Sequence, residues 1–155
     1  AWVNAHYMKT AADSRLAALA QQQLAARGLV VPDLAVLERG AALFKDRCAT
    51  VAELADWLTM LFAPVAPSAE DLATFVTDAM RPALQGLATR LATASWDKAG
   101  IGAAMKETLA AHQVKMPQLA PAVRVLVCGK SQTPSIDAVL ALFDRSTVLA
   151  RLQGA

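Results

Sequence analysis

The residues of this chain best placed to do chemistry are basic ones near helix ends. Between Thr108 and Ile136 there is no Asp or Glu, yet Lys115, Arg124 and Lys130 all fall there, each at or next to an expected helix end or loop. Ammonium and guanidinium groups so placed can replace counterions on a nucleic-acid backbone or reach base edges. A solvated helical face has the same composition, and spacing alone does not choose between the two. Arg124 is the odd residue, because it interrupts the apolar run Ala122, Val123, Val125, Leu126, Val127. A long cation there must be paired, run its head out to water or meet a ligand. Arg47 is similar in kind. It closes the polar group Lys45, Asp46, Arg47 three residues before Thr50 and projects from a corner between two helices, with an ion pair to Asp46 or Glu53 as the plain alternative.

Catalytic constellations are sparse. His6 and His112 lie far apart, with no carboxylate or cysteine at ligand or triad spacing. Cys48 and Cys128 stand in separate apolar stretches without CxxC spacing, which suggests neither a disulfide framework nor a zinc site and fits a reducing cytosol. No GxxxxGK[ST] or GxGxxG phosphate loop occurs; Gly100 and Gly102 are only a GxG inside an Ala-rich helix. A small complete enzyme is therefore disfavoured. The formal charge of +2, from 15 basic and 13 acidic residues, announces neither a nucleic-acid binder nor a membrane-surface protein, so distribution carries more than the total.

The elements that position these residues read as helices. Asp13 opens one with Leu16, Leu19, Ala20, Leu24 and Ala25 on a stripe, ended by Gly28. It follows a helical stub over residues 2 to 10, with Trp2, Val3, His6 and Tyr7 near one face. Asp33 caps a second helix with Leu34, Leu37, Ala41 and Phe44 inward. Thr50 and Glu53 form a capping box ahead of Leu54, Trp57, Leu58 and Leu61. Prolines 64 and 67 then punctuate the chain. Beyond them Ser68 and Asp71 start a helix through Met80, interrupted at Pro82. Ser95 or Asp97 starts another through Leu109, and Lys115, Met116 and Pro117 make a turn. A helix from about Gln118 to Cys128 stops at Gly129, Ser135 caps a short one to Leu142, and Ser146 opens the last. Trp2, Trp57 and Trp96 fall beside apolar residues and read as core.

Hydrophobic residues make up 55% of the 155 positions and charged ones 18%, ample for a core and inconsistent with disorder. Alanine is abundant while β-branched and aromatic residues are sparse, which favours helix over strand. The expected fold is all-α, with two small helical-bundle subdomains over residues 1–63 and 68–155. No apolar run reaches the roughly 18 residues of a membrane span. The chain begins at Ala1 inside what reads as amphipathic helix, as a piece of something longer would.

Three segments carry a resemblance: residues 2–9 (WVNAHYMK), the corner at residues 45–54 (KDRCATVAEL), and residues 114–117 (VKMP) followed by 121–134 (PAVRVLVCGKSQTP). In this order and spacing the chain resembles the C-terminal part of bacterial glutamyl-tRNA synthetases over essentially its whole length. The resemblance implies a class I aminoacyl-tRNA synthetase that uses ATP, with magnesium, to join glutamate to its transfer RNA in the cytoplasm. That family's ATP-site signatures are absent here, so it implies no cofactor for this piece. It implies instead the end of a stem-contact region and a two-part helical anticodon-binding domain whose partner is the anticodon stem-loop of glutamate tRNA. Carried over by position, Arg47 reads the first anticodon base. Arg124, Thr133 and Ile136 line the pocket for the others, and Lys115 and Lys130 contact the RNA backbone. Ser135 stands where relatives often have a second proline. Without the resemblance, a helical protein-interaction module whose arginines pair with acidic residues of a partner fits the same side chains.

Overall fold

The computed structural model describes residue 8, residues 10–31 and residues 33–154. All regular structure among them is helical, in two compact units, Ala1–Pro64 and Val65–Ala155.

The first unit is built from α1 (Asp13–Ala26), α2 (Leu34–Phe44), a single 3-10 turn (Lys45–Arg47) and α3 (Val51–Thr59), each helix packing on the other two. Leu16, Ala17, Ala20 and Leu24 of α1 meet Leu37, Ala41 and Phe44 of α2 and Leu54, Ala55 and Leu58 of α3 in a closed core. Gly28 takes φ +80° after α1, a backbone state that favours residues without a Cβ. Asp33 caps α2 by accepting from the Ala35 N–H at 2.9 Å. The Thr50 hydroxyl accepts from the Glu53 N–H at 3.1 Å.

Several expectations need correction. Asp13 lies inside the first turn of α1 and caps nothing with its side chain, because Lys45 holds it at 3.0 Å. Ala25 and Leu34 are exposed, while Ala17 takes an inward place on α1. Of the stub expected over residues 2 to 10, only Met8 and Thr10 are described; Trp2, Val3, His6 and Tyr7 lie outside the described residues.

The second unit comprises α4 (Ala69–Phe75), α5 (Arg81–Leu91), α6 (Lys98–His112), α7 (Met116–Cys128), α8 (Ile136–Leu140) and α9 (Arg145–Gln153). Helix α7 is its axis. Eight of its 13 residues are buried, and it packs against α4, α5, α8 and α9, with α6 against α5 and α8. The Ser68 hydroxyl accepts from the Asp71 N–H at 3.1 Å, and Asp97 caps α6 by accepting from the Gly100 N–H at 2.7 Å. Two acceptor bonds, from the Gly100 N–H first and the Ser95 hydroxyl second, hold the Asp97 carboxyl below its ordinary pKa. A Cβ at Gly100 would collide with the Ser95 carbonyl, so this glycine serves the cap.

Helix α7 starts at Met116 rather than Gln118 because its first proline, Pro117, fits the opening turn, where no N–H is needed. Pro82 acts in the same way, opening α5 after a break over residues 76–80. Helix α8 stops at Leu140, short of Leu142, and the Ser135 hydroxyl caps no backbone group; it donates to Asp137 Oδ1 at 2.5 Å. The last helix starts at Arg145, one residue before Ser146. Trp57 and Trp96 are half-buried rather than core. Trp57 stacks on Phe44, and Trp96 donates its Nε1–H to the Phe143 carbonyl at 2.8 Å.

Candidate functional site

Arg47 ends the 3-10 turn after α2. That turn is fixed from below by Phe44, which is fully buried and stacked on Trp57 with ring centroids 5.0 Å apart. The Cys48 N–H returns to the Lys45 carbonyl at 3.1 Å, and Lys45 is itself tied to Asp13. Glu53 accepts from the Ala49 N–H at 2.7 Å. With these neighbours engaged, Arg47 is exposed and its guanidinium joins no ion pair among the described residues. Neither Asp46 nor Glu53 holds it, which removes the plain alternative.

The other sequence-derived residues belong to the second unit. Arg124, on α7, is half-buried and its Nε–H donates to the Thr133 hydroxyl at 3.1 Å. That hydroxyl donates in turn to the Pro134 carbonyl at 2.7 Å. Thr133 is 7% exposed, and its hydroxyl is shared between Arg124 and the Pro134 carbonyl. Among the described residues, both Nη groups of Arg124 lack a hydrogen-bond partner and no carboxylate lies within ion-pair distance. Arg124 lines a groove of about 190 Å³ whose walls include Met105 and Lys106 of α6, Met116 of α7, and Ile136 and Asp137 of α8. Ile136 is buried at 6% exposure and forms part of the lining.

Lys115 occupies the N-cap position of α7, where its N–H donates to Gln118 Oε1 at 3.0 Å, while Lys130 lies just beyond the helix end. Thirteen residues at about 1.5 Å each separate the two ends by about 20 Å. The lysines therefore flank α7 at opposite ends instead of clustering.

Two other arginines of this unit are committed to structure. Arg145 donates to the Ala92 and Ala94 carbonyls at 2.6 and 2.7 Å and lies over Trp96. Arg151 donates to the Val127 carbonyl at 2.6 Å and lies over Phe143, and burial lowers its pKa. Burial pushes the Cys128 thiol up to about 12, which keeps it protonated and a poor nucleophile or metal ligand. The described residues contain no group of three His, Cys, Asp or Glu that could hold a metal ion, and no helix long and apolar enough to cross a membrane.

Sequence reasoning missed Asp137, Lys106 and Met116 as groove residues. No sequence signal marked Asp137; in the fold it lies beside Gly102, its Oδ2 3.5 Å from where a Cβ there would stand.

A family model described as "Anticodon binding domain" matches residues 15–155. The chain belongs to this anticodon-binding domain family. Similar proteins include a "Glutamate--tRNA ligase" of Leptothrix cholodnii, 57% identical over 98% of this chain and 33% of that one. Another of the same name, from a Polaromonas species, is 54% identical over 98% and 33%. The chain thus spans about a third of the length of the curated relatives it matches. Among solved structures, a glutamate tRNA ligase from Elizabethkingia meningosepticum, crystallised in complex with its amino acid, matches 99% of this chain and 30% of its own with a TM-score of 0.90. At 15% identity that likeness establishes the all-α fold. In this anticodon-binding domain, Arg47 lies in one unit and the Arg124 groove in the other.

Proposed function

We propose that this chain is the anticodon-reading part of a glutamate–tRNA ligase, and that unpaired anticodon bases are read by Arg47 and by the groove beside Arg124. The observation that carries the reading is 57% identity to such a ligase along 98% of the chain. The geometry supports it, since neither arginine's guanidinium has a carboxylate partner among the described residues. A guanidinium carries a rigid fork of donors suited to the acceptors on a splayed base edge.

Binding is recognition without bond-making. Lys115 and Lys130 would lie along phosphates, and affinity should fall as salt rises because counterions are released on binding. Thr133 holds the Arg124 fork before RNA arrives, which lowers the ordering cost of association. Activation of glutamate with ATP and magnesium would belong to the remainder of the ligase. A cytoplasmic location follows from that role.

The test uses the complete ligase carrying Arg47→Ala or Arg124→Ala. Each substitution should lower kcat/KM for charging glutamate tRNA while leaving ATP-dependent glutamate activation in place. Unchanged charging by both variants would sink the proposal.

A further inference from the structure

The groove beside Arg124 contains a carboxylate whose position is unexpected for a surface that meets RNA. Asp137 reaches it from the first turn of α8. Its Oδ1 is engaged twice, by the Ser135 hydroxyl at 2.5 Å and the Ala138 N–H at 2.8 Å. Its Oδ2 faces the space left open by Gly102 and accepts no hydrogen bond among the described residues. Although Arg124 and Asp137 line the same groove, they do not form an ion pair. A free carboxylate oxygen near phosphates weakens RNA binding by repulsion unless it accepts a hydrogen bond from the ligand.

Resting on the anticodon-reading proposal, we infer that Asp137 is a specificity-determining residue that makes this groove select cytosine. Beside Lys106, whose ammonium is a further donor in the wall, the groove offers an acceptor with no hydrogen bond among the described residues, Asp137 Oδ2, and the donor fork of Arg124. Cytosine presents the complementary edge, an exocyclic amino donor beside two acceptors, N3 and O2. A carboxylate accepting from the cytosine amino group is an established pairing. Uracil puts a carbonyl where the amino group would be and faces the carboxylate with a second acceptor. Guanine reverses the pattern, with two donors and one acceptor, and adenine lacks the second acceptor for the fork. The volume of about 190 Å³ suits a single pyrimidine and lies below the roughly 300–1,000 Å³ of pockets for larger ligands. Met116, 36% exposed at the rim, supplies an apolar face for the ring. Ser135 fixes the carboxylate through Oδ1 and so leaves Oδ2 for the ligand.

The experiment is a chemical double-mutant cycle on this chain. RNA stem-loops with the glutamate anticodon are compared with loops in which an anticodon cytosine becomes uracil or a pyrimidine lacking only the exocyclic amino group. Each is titrated against the native chain, Asp137→Asn and Arg124→Ala. The native chain should lose roughly tenfold or more in affinity on losing the amino group. Asp137→Asn should shrink that ratio several-fold while keeping its unfolding midpoint. Gly102→Val, which fills the space at Oδ2 without removing the carboxylate, should shrink it as well and guards against misfolding of the first variant. A native cytosine preference that persists undiminished in both variants would overturn the role of Asp137 and leave anticodon reading intact. If no base change and no Arg124→Ala substitution alters binding, both proposals fall.

Discussion

The two arginines that carry the account are held in opposite ways. Arg47 stands exposed on a 3-10 corner held by Lys45 to Asp13, by the Cys48 N–H to the Lys45 carbonyl and by Glu53 to the Ala49 N–H, and its own guanidinium is in no ion pair among the described residues. Arg124 is half-buried, clamped through Nε by Thr133 and left open at both Nη groups. On the proposed reading, the difference shows how one residue type would serve two tasks. A loose fork on a firm corner adapts to a base, at the entropic cost of ordering a long side chain on binding. A preset fork in a groove has lost that freedom on folding and discriminates more sharply.

The comparison breaks most severely at Phe44. Phe44→Ala removes the fully buried ring that stacks on Trp57 beneath the corner, and should destabilise the first unit by about 3–5 kcal/mol. Thermal or denaturant unfolding measures this. Next in size, Arg124→Ala should weaken binding of the glutamate anticodon stem-loop by about 2 kcal/mol, within the range of a good bidentate contact. Thr133→Val should reproduce about 1 kcal/mol of that loss and add little to Arg124→Ala, since both act on one fork. A Thr133→Val effect that adds fully to Arg124→Ala would show that the hydroxyl serves the RNA directly. Arg47→Ala should weaken binding by about 1 kcal/mol, yet shift stability by no more than about 0.5 kcal/mol, as expected of an exposed side chain in no ion pair.

How far these residues were legible in the sequence follows the same division. Caps built from a side chain and an N–H two or three residues on, at Asp33, Thr50 and Ser68, read directly, because the partner lies within the same turn; at the start of α6 the sequence offered Ser95 or Asp97, and Asp97 is the cap. Asp13 misled, because its partner Lys45 is distant in sequence and took the carboxylate away from the helix end. Arg124 was legible as an anomaly in an apolar run, and Arg47 as a cation at a corner. Asp137 was not legible as a groove residue. It meets Gly102, on a different helix, only in the folded unit, and no local pattern records that juxtaposition. Thr133 was legible by position, while its hydroxyl turned out to be directed at Arg124.

The smallest effect concerns acid. Asp97 caps α6, one wall of the groove, and its two acceptor bonds lower its pKa in the folded state. A lowered folded value contributes stability that is present above the unfolded pKa, about 3.9, and is lost as pH falls through the folded value. Asp97→Asn should therefore flatten the decline in unfolding midpoint between about pH 5 and about pH 2. An unchanged slope would mean the cap is not linked to protonation.

The central claim is that these two arginines read an anticodon, and a titration of this chain with labelled RNA stem-loops at low and moderate salt tests it most directly. Loops bearing the glutamate anticodon, the glutamine anticodon and a scrambled sequence are compared. The account predicts tightest binding to the glutamate loop, with a preference that survives moderate salt and drops in Arg47→Ala and Arg124→Ala. Equal binding to all three loops, vanishing together as salt rises, would contradict it and reduce the surface to one that meets phosphate alone.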